Sequence, residues 1–184
     1  MVGGYIKERI LSDDEVKEAL EVYESLPSEF WHQNYNLFDV ERRDIPTPRQ
    51  YDFYKTLLKY SKLGYDKGAY FLKYEKDSFT RLHSDNNSDL TIVTLLESKD
   101  LLGGESLVRA EYKLKNRPVG NLVARHEHER DSPPYGQEII MDVVNVDDGE
   151  SLVYGPHLTH GVSKVYDGHR IVLVTWFSKK ETKR

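Results

Sequence analysis

Apolar and polar positions alternate in two different rhythms, and the change falls near residue 66. Before it the rhythm is helical. Ser12-Asp13-Asp14-Glu15 has the spacing of a capping box, and Val16, Ala19, Leu20 and Tyr23 follow at i, i+3, i+4 and i+7 until Pro27 stops the run. A second helix is predicted from Thr47-Pro48, with proline tolerated in its first turn. It carries Tyr51, Phe53, Tyr54, Leu57, Leu58 and Tyr60, and Gly64 lies just past its end. From Gly68 onward the segments are short, rich in Val, Ile, Leu, Thr and Tyr, and separated by Gly, Asp, Asn and Pro clusters. They predict strands at Ala69–Tyr74, Leu90–Leu96, Ser106–Val108, Glu138–Val146, Ser151–Tyr154 and Arg170–Phe177. No helical pattern separates these strands, which argues against a parallel α/β sheet. The expected fold class is mainly β (α+β): an antiparallel sandwich or jelly roll with the N-terminal helices packed on one side.

One stretch breaks the pattern. Residues Arg109–Gly136 are highly charged, include Arg125-His126-Glu127-His128-Glu129-Arg130, and end in Ser132-Pro133-Pro134. This reads as an insertion: a lid over a site, or equally a solvated hairpin without a role. The expected organisation is a single domain over 1–184, with a helical part at 1–66, a β-core at 67–178 and the insertion at 109–136.

Composition narrows the chemistry. The 184 residues can bury a substantial core, and 38% apolar with 31% charged residues suits a soluble globular chain. No apolar run is long enough to span a membrane and no apolar leader opens the sequence, so a cytoplasmic location is the expectation. Cysteine is absent, which removes disulfides and thiolate metal sites. His, Asp and Glu are then the strong side-chain ligands left, a set that favours iron, manganese or an open zinc site. The net charge of −5 counts against a general nucleic-acid binder.

The candidate metal site starts with His83-Ser84-Asp85. Residues two apart on an extended segment face the same way, so one metal can take both the imidazole and the carboxylate. A second imidazole from another strand would complete a facial triad with three open coordination positions. His160 follows the strand Ser151–Tyr154, and His157, three residues earlier, is the competing ligand. Arg170 opens the apolar strand Ile171–Phe177, so its head would be buried and would need an anion. A bidentate carboxylate fits the planar fork, and a structural Asp or Glu is the plainer partner. His126 and His128 could pair on a second metal, although so charged a loop favours a solvated role. His32 and His169 read as surface residues, and Trp176 as a core or pocket wall.

The order of these motifs resembles the iron(II)/2-oxoglutarate dioxygenases, in particular their prolyl 4-hydroxylase-like branch. His160-Gly161-Val162, Val165, Gly168 and Arg170 match the branch pattern H-x-V-x-x-V-x-x-G-x-R. Leu11–Glu15 resembles the phrase opening its first helix, Asp148–Val153 the glycine-led strand before the distal histidine, and Gly103-Gly104-Glu105 its mid-barrel turn. Tyr74 sits close to a tyrosine of its first core strand. The resemblance covers most of the chain outside Arg109–Gly136. It implies a double-stranded β-helix, Fe(II) held by His83, Asp85 and His160, and 2-oxoglutarate gripped through its remote carboxylate by Arg170, which also supports choosing His160 over His157. It further implies O2 as co-reactant, with ascorbate as a candidate auxiliary. Where many members place a tyrosine on the strand after H-x-D, this chain has Leu95, so a hydroxyl from Thr91 or Tyr74 would have to substitute.

The implied reaction is hydroxylation of an unactivated C–H, most readily of a prolyl residue in a peptide or protein, with lysyl residues and free amino acids next. Two rivals belong to other classes. A nucleic-acid repair dioxygenase would share the triad but want a basic, aromatic surface beside it, which the acidic balance disfavours. A non-enzymatic jelly-roll binding module would use the same His and Asp residues structurally.

Overall fold

The structure is a computed structural model that describes residues 4–33, 40–114, 117–118 and 137–180. Helix α1 (Asp13–Ser25) starts where the capping box places it: Ser12 Oγ accepts from the Glu15 N–H, and Glu15 Oε1 accepts from the Ser12 N–H. Helix α2 (Asp52–Ser61) begins later than Thr47-Pro48 suggests, because Pro48–Gln50 forms a separate 3-10 turn. The Asp52 and Phe53 N–H groups have no local cap. The Glu18 carboxylate of α1 accepts from both, with 2.8 Å to Phe53, and so joins the helices. Lys62, rather than Gly64, takes the left-handed position ending α2, at φ 57°.

The described residues form twelve strands: β1 (Tyr5–Glu8), β2 (Trp31–Gln33), β3 (Glu41–Asp44), β4 (Tyr65–Tyr74), β5 (Thr80–His83), β6 (Leu90–Gly103), β7 (Ser106–Leu114), β8 (Arg117–Pro118), β9 (Gln137–Val144), β10 (Ser151–Tyr154), β11 (His160–Val162) and β12 (Val165–Ser178). The large sheet runs β1-β10-β6-β12-β4-β3-β2, and the smaller runs β5-β11-β7-β8 with β9 also on β7; the strand pairs are antiparallel. The mainly-β fold with helices on one side is as expected. The N-terminal part is less purely helical than its periodicity suggests, since β1, β2 and β3 lie within it. These strands are three or four residues long, too short for a pattern to declare itself. Strand β7 continues to Leu114, six residues into the segment read as an insertion. His126 and His128 lie outside the described residues.

Near-continuous apolar runs in β4 and β12 are explained by burial on both faces. Phe71 and Ala69 of β4, with Ile171, Leu173 and Phe177 of β12, pack outward against Ala19, Tyr23, Phe53, Tyr54 and Leu57 of the helices. The intervening Tyr70, Leu72 and Tyr74, with Val172 and Val174, turn inward. Arg170 stands opposite Tyr74 and Val174 opposite Tyr70. A slip of one residue would exchange helix-facing for cavity-facing side chains along the whole strand, so this double burial fixes the register.

Candidate functional site

His83 ends β5 and His160 begins β11, and the two are direct cross-strand partners. Two local features bring them together. Gly161 lets the strands approach closely, because a Cβ there would lie 2.8 Å from the Thr80 carbonyl oxygen. Asp85 sits just beyond β5, two residues after His83, so its carboxylate returns to the same side. His83 Nε2 lies 3.3 Å from Asp85 Oδ1 and His160 Nε2 lies 3.4 Å from Asp85 Oδ2. All three ligand atoms fall within 4.8 Å of one another, and no other such group of three occurs among the described residues.

Both imidazoles are oriented from behind. His83 Nδ1 is 2.7 Å from the Arg81 carbonyl and His160 Nδ1 is 3.0 Å from the Leu158 carbonyl. A carbonyl only accepts, so both Nδ1 atoms carry protons, and in the neutral form each ring has its Nε2 lone pair directed at the shared centre. Asp85 is held in turn by Thr91 Oγ1, which donates to Oδ2 at 3.2 Å and is 3.1 Å from the buried Ser88 hydroxyl. Burial and the His83 charge push His160 down to about 4 against the pull of Asp85. Burial also disfavours charged His83, but the Asp85 hydrogen bond and charge outweigh it and its pKa is raised. Burial likewise works to raise the Asp85 pKa; hydrogen bonding to His83 and the two imidazoles reverse that and leave it below the ordinary carboxylate value. Two neutral nitrogen donors and one anionic oxygen suit a divalent ion bound on one face.

The same cavity, about 380 Å³, reaches Arg170. Arg170 is 5% exposed; its guanidinium donates from Nη1 to the Gly104 carbonyl at 2.6 Å and approaches the Ser106 hydroxyl at 3.4–3.5 Å. Its Nε is buried with no partner, and no carboxylate of the described residues pairs with it. Burial lowers its pKa, with the Tyr74 hydroxyl opposing. A buried cation held only by neutral oxygens is costly, so this end of the cavity suits a carboxylate. The structural Asp or Glu weighed as its partner is absent among the described residues. Gly168, at φ 73° and packed against the Lys99 and Asp100 carbonyls, lies within β12 where its register with β6 shifts, two residues before Arg170.

Tyr74 stands over this end with its ring 5.5 Å from the Arg170 guanidinium and its hydroxyl 2.5 Å from Thr80 Oγ1. Thr91 lies elsewhere, at Asp85. Leu95 packs with Tyr74, Val165 and Val172. Thr80 and Ser106 also line the cavity, although the sequence reading did not single them out. Neither carries a motif; only the pairing of β11 with β5 and β7 brings them here. His157 is not among the cavity-lining residues, whereas Tyr154 lies 4.5 Å from His160, ring to ring. His169 pairs with Glu97 at 2.8 Å and His32 lies 3.6 Å from Asp44.

No family model and no curated protein matches the sequence. Solved structures do match in three dimensions. A prolyl-4-hydroxylase from Pseudomonas putida superposes with a TM-score of 0.66 at 15% identity, covering 97% of this chain and 94% of that one. A 2-oxoglutarate-Fe(II) oxygenase family protein from Burkholderia pseudomallei gives 0.64 at 14% identity, covering 97% and 86%. HygX from Streptomyces hygroscopicus, solved with nickel, 2-oxoglutarate and hygromycin B, gives 0.62 at 15% identity, covering 98% and 85%. The fold is therefore that of the Fe(II)/2-oxoglutarate oxygenases, the jelly-roll architecture read from the sequence.

Proposed function

We propose that the protein is an Fe(II)- and 2-oxoglutarate-dependent dioxygenase that hydroxylates an unactivated C–H. One observation carries the reading: a His-Asp-His cluster and a buried arginine without a carboxylate partner share one cavity. His83, Asp85 and His160 would hold the iron through Nε2, a carboxylate oxygen and Nε2. Arg170 would take the remote carboxylate of 2-oxoglutarate, with Ser106, Tyr74 and Thr80 offering hydroxyls beside it. Iron and 2-oxoglutarate, when bound, would supply the oxidation, in which 2-oxoglutarate and O2 yield succinate and carbon dioxide and the second oxygen atom is inserted into the substrate C–H.

The chain's own contribution is geometric. The Arg81 and Leu158 carbonyls hold both imidazoles in the metal-binding tautomer, and Thr91 fixes the carboxylate. Leu72, Val93, Val172 and Val174 wall the cavity with apolar surface that excludes water from the reacting centre. No side chain needs to act as general acid or base.

For the substrate, the H-x-V-x-x-V-x-x-G-x-R pattern and the likeness to a prolyl-4-hydroxylase favour a prolyl residue in a peptide or protein. A solution assay tests the whole reading: anaerobic loading with Fe(II) and 2-oxoglutarate, then oxygen, with succinate measured with and without proline-rich peptides. Stoichiometric iron and succinate release are expected. A protein that binds neither metal nor 2-oxoglutarate would instead be a jelly-roll binding module.

A further inference from the structure

Besides Arg170, two more arginines line the cavity, Arg42 and Arg81; among the described residues a single carboxylate, Asp85, faces them, and neither lysine nor glutamate lines it. This enrichment runs against a chain whose net charge is −5. On the dioxygenase reading, a divalent metal, dianionic 2-oxoglutarate, Asp85 and Arg170 balance in formal charge. Arg42 and Arg81 are then the remaining cations among the described lining residues.

Arg42 lies on β3 opposite Leu72 and lines the cavity, with 27% of its side chain exposed. Its guanidinium lies over the Tyr70 ring at 3.8 Å, and Tyr70 meets Trp176 edge-on at 5.5 Å. Asp44 takes the Nε edge at 2.8 Å, but Asp44 itself does not line the cavity. Among the described residues no acceptor is bonded to the Arg42 Nη groups. Trp176 Nε1 is also buried without a partner. Arg42, stacked on Tyr70, thus shares the cavity lining with Trp176, whose indole donor is unpartnered.

We propose that Arg42 selects the substrate by binding a carboxylate close to the carbon that is oxidised. The proposal rests on the dioxygenase reading and adds the charge of its substrate. Stacking on Tyr70 fixes the guanidinium plane, so the Nη edge meets an incoming carboxylate in the geometry of a bidentate pair. Cavity walls of low polarity strengthen that attraction relative to the open surface. The carboxylate can belong to a free amino-acid-like molecule or to an acidic side chain in a peptide.

The test uses the full chain loaded anaerobically with Mn(II) and 2-oxoglutarate, so that binding is read without turnover. Calorimetry compares N-acetyl-L-proline with N-acetyl-L-prolinamide, and blocked Ala-Pro-Glu-Ala with Ala-Pro-Gln-Ala. In at least one pair the acid should bind about tenfold tighter than its amide, R42Q should erase the difference, and R42K should keep part of it. Preference confined to the first pair identifies a free carboxylate, and to the second an acidic peptide. Absence of binding by every probe, equal binding within both pairs, or an acid preference that survives in R42Q overturns the proposal; thermal melting verifies that R42Q folds. Failure to bind Mn(II) and 2-oxoglutarate at all would refute the dioxygenase reading itself, an outcome visible before any probe is added.

Discussion

His83 and His160 face each other across two antiparallel strands, with ring centroids 4.3 Å apart and Nδ1 protons committed to separate backbone carbonyls. The pairing places two Nε2 lone pairs on either side of Asp85. It also means that neither histidine can turn away without losing a hydrogen bond behind it. Those two hydrogen bonds keep both Nε2 atoms turned toward Asp85.

Replacing His83, Asp85 or His160 with Ala should abolish stoichiometric iron binding and succinate formation. His157→Ala should largely retain both, because His157 is not among the cavity-lining residues. Metal content of the purified variants decides the matter; full occupancy in His160→Ala would remove His160 from the ligand set.

Arg170→Ala should raise the 2-oxoglutarate concentration needed by more than tenfold while sparing iron. Breaking a desolvated charge pair costs about 2–5 kcal/mol. Lysine at 170 should restore only part of the affinity, since it is a point donor without the fork. Dissociation constants for 2-oxoglutarate on the iron-loaded variants provide the measurement.

Thr91→Val removes the hydroxyl behind Asp85 at nearly constant volume. Loss of such a support weakens metal binding by about 10–100-fold, and Thr91→Ser should recover most of it. Competition with a calibrated chelator reads the affinity directly. An unchanged affinity in Thr91→Val would mean that β6 packing alone positions the carboxylate.

Asp66 bridges β4 to the turn before α2, accepting from Arg49 Nη2 at 2.7 Å. Its pKa is lowered, first by the Arg49 hydrogen bond, with burial opposing. A depressed carboxylate stabilises the fold fully above its unfolded value near 3.8, and that contribution is lost as pH falls through the lower folded value. Asp66→Asn should therefore flatten the acid limb of stability below about pH 4 and leave the slope near neutrality unchanged, as read by urea unfolding across pH.

Leu173 is fully buried between β12 and the helices, one residue away from cavity-facing Val172 and Val174. Leu173→Ala should destabilise the fold by about 2–5 kcal/mol, measured by chemical denaturation. A loss below about 1 kcal/mol would contradict the assignment of its face.

Much of this arrangement was legible in the chain. The capping box set the start of α1, strand chemistry marked the central β segments, and H-x-D with His160 and Arg170 marked the residues that meet in the cavity. These are local signals, set by caps, side-chain alternation and turn residues within a few positions. Short strands such as β2, β5 and β11 gave no such signal, because Trp31-His32-Gln33, Thr80-Arg81-Leu82-His83 and His160-Gly161-Val162 lack the apolar, β-branched run that marked the equally short β10.

The sequence by itself determined which residue types were available: no thiolate, a His-x-Asp on an extended segment, and an arginine at the head of an apolar strand. Only tertiary structure decided what each of them meets. Pairing of β11 with β5 and β7 brought Thr80 and Ser106 into the cavity that Arg170 enters. The course of β6 put Thr91 behind Asp85, leaving the Ser106 hydroxyl and the Tyr74 ring beside Arg170. Glu18 became the cap of α2 through a contact 35 residues away in the chain. Such partners are chosen by sheet register and layer packing, which depend on the burial of both strand faces at once. No local stretch of sequence records that constraint.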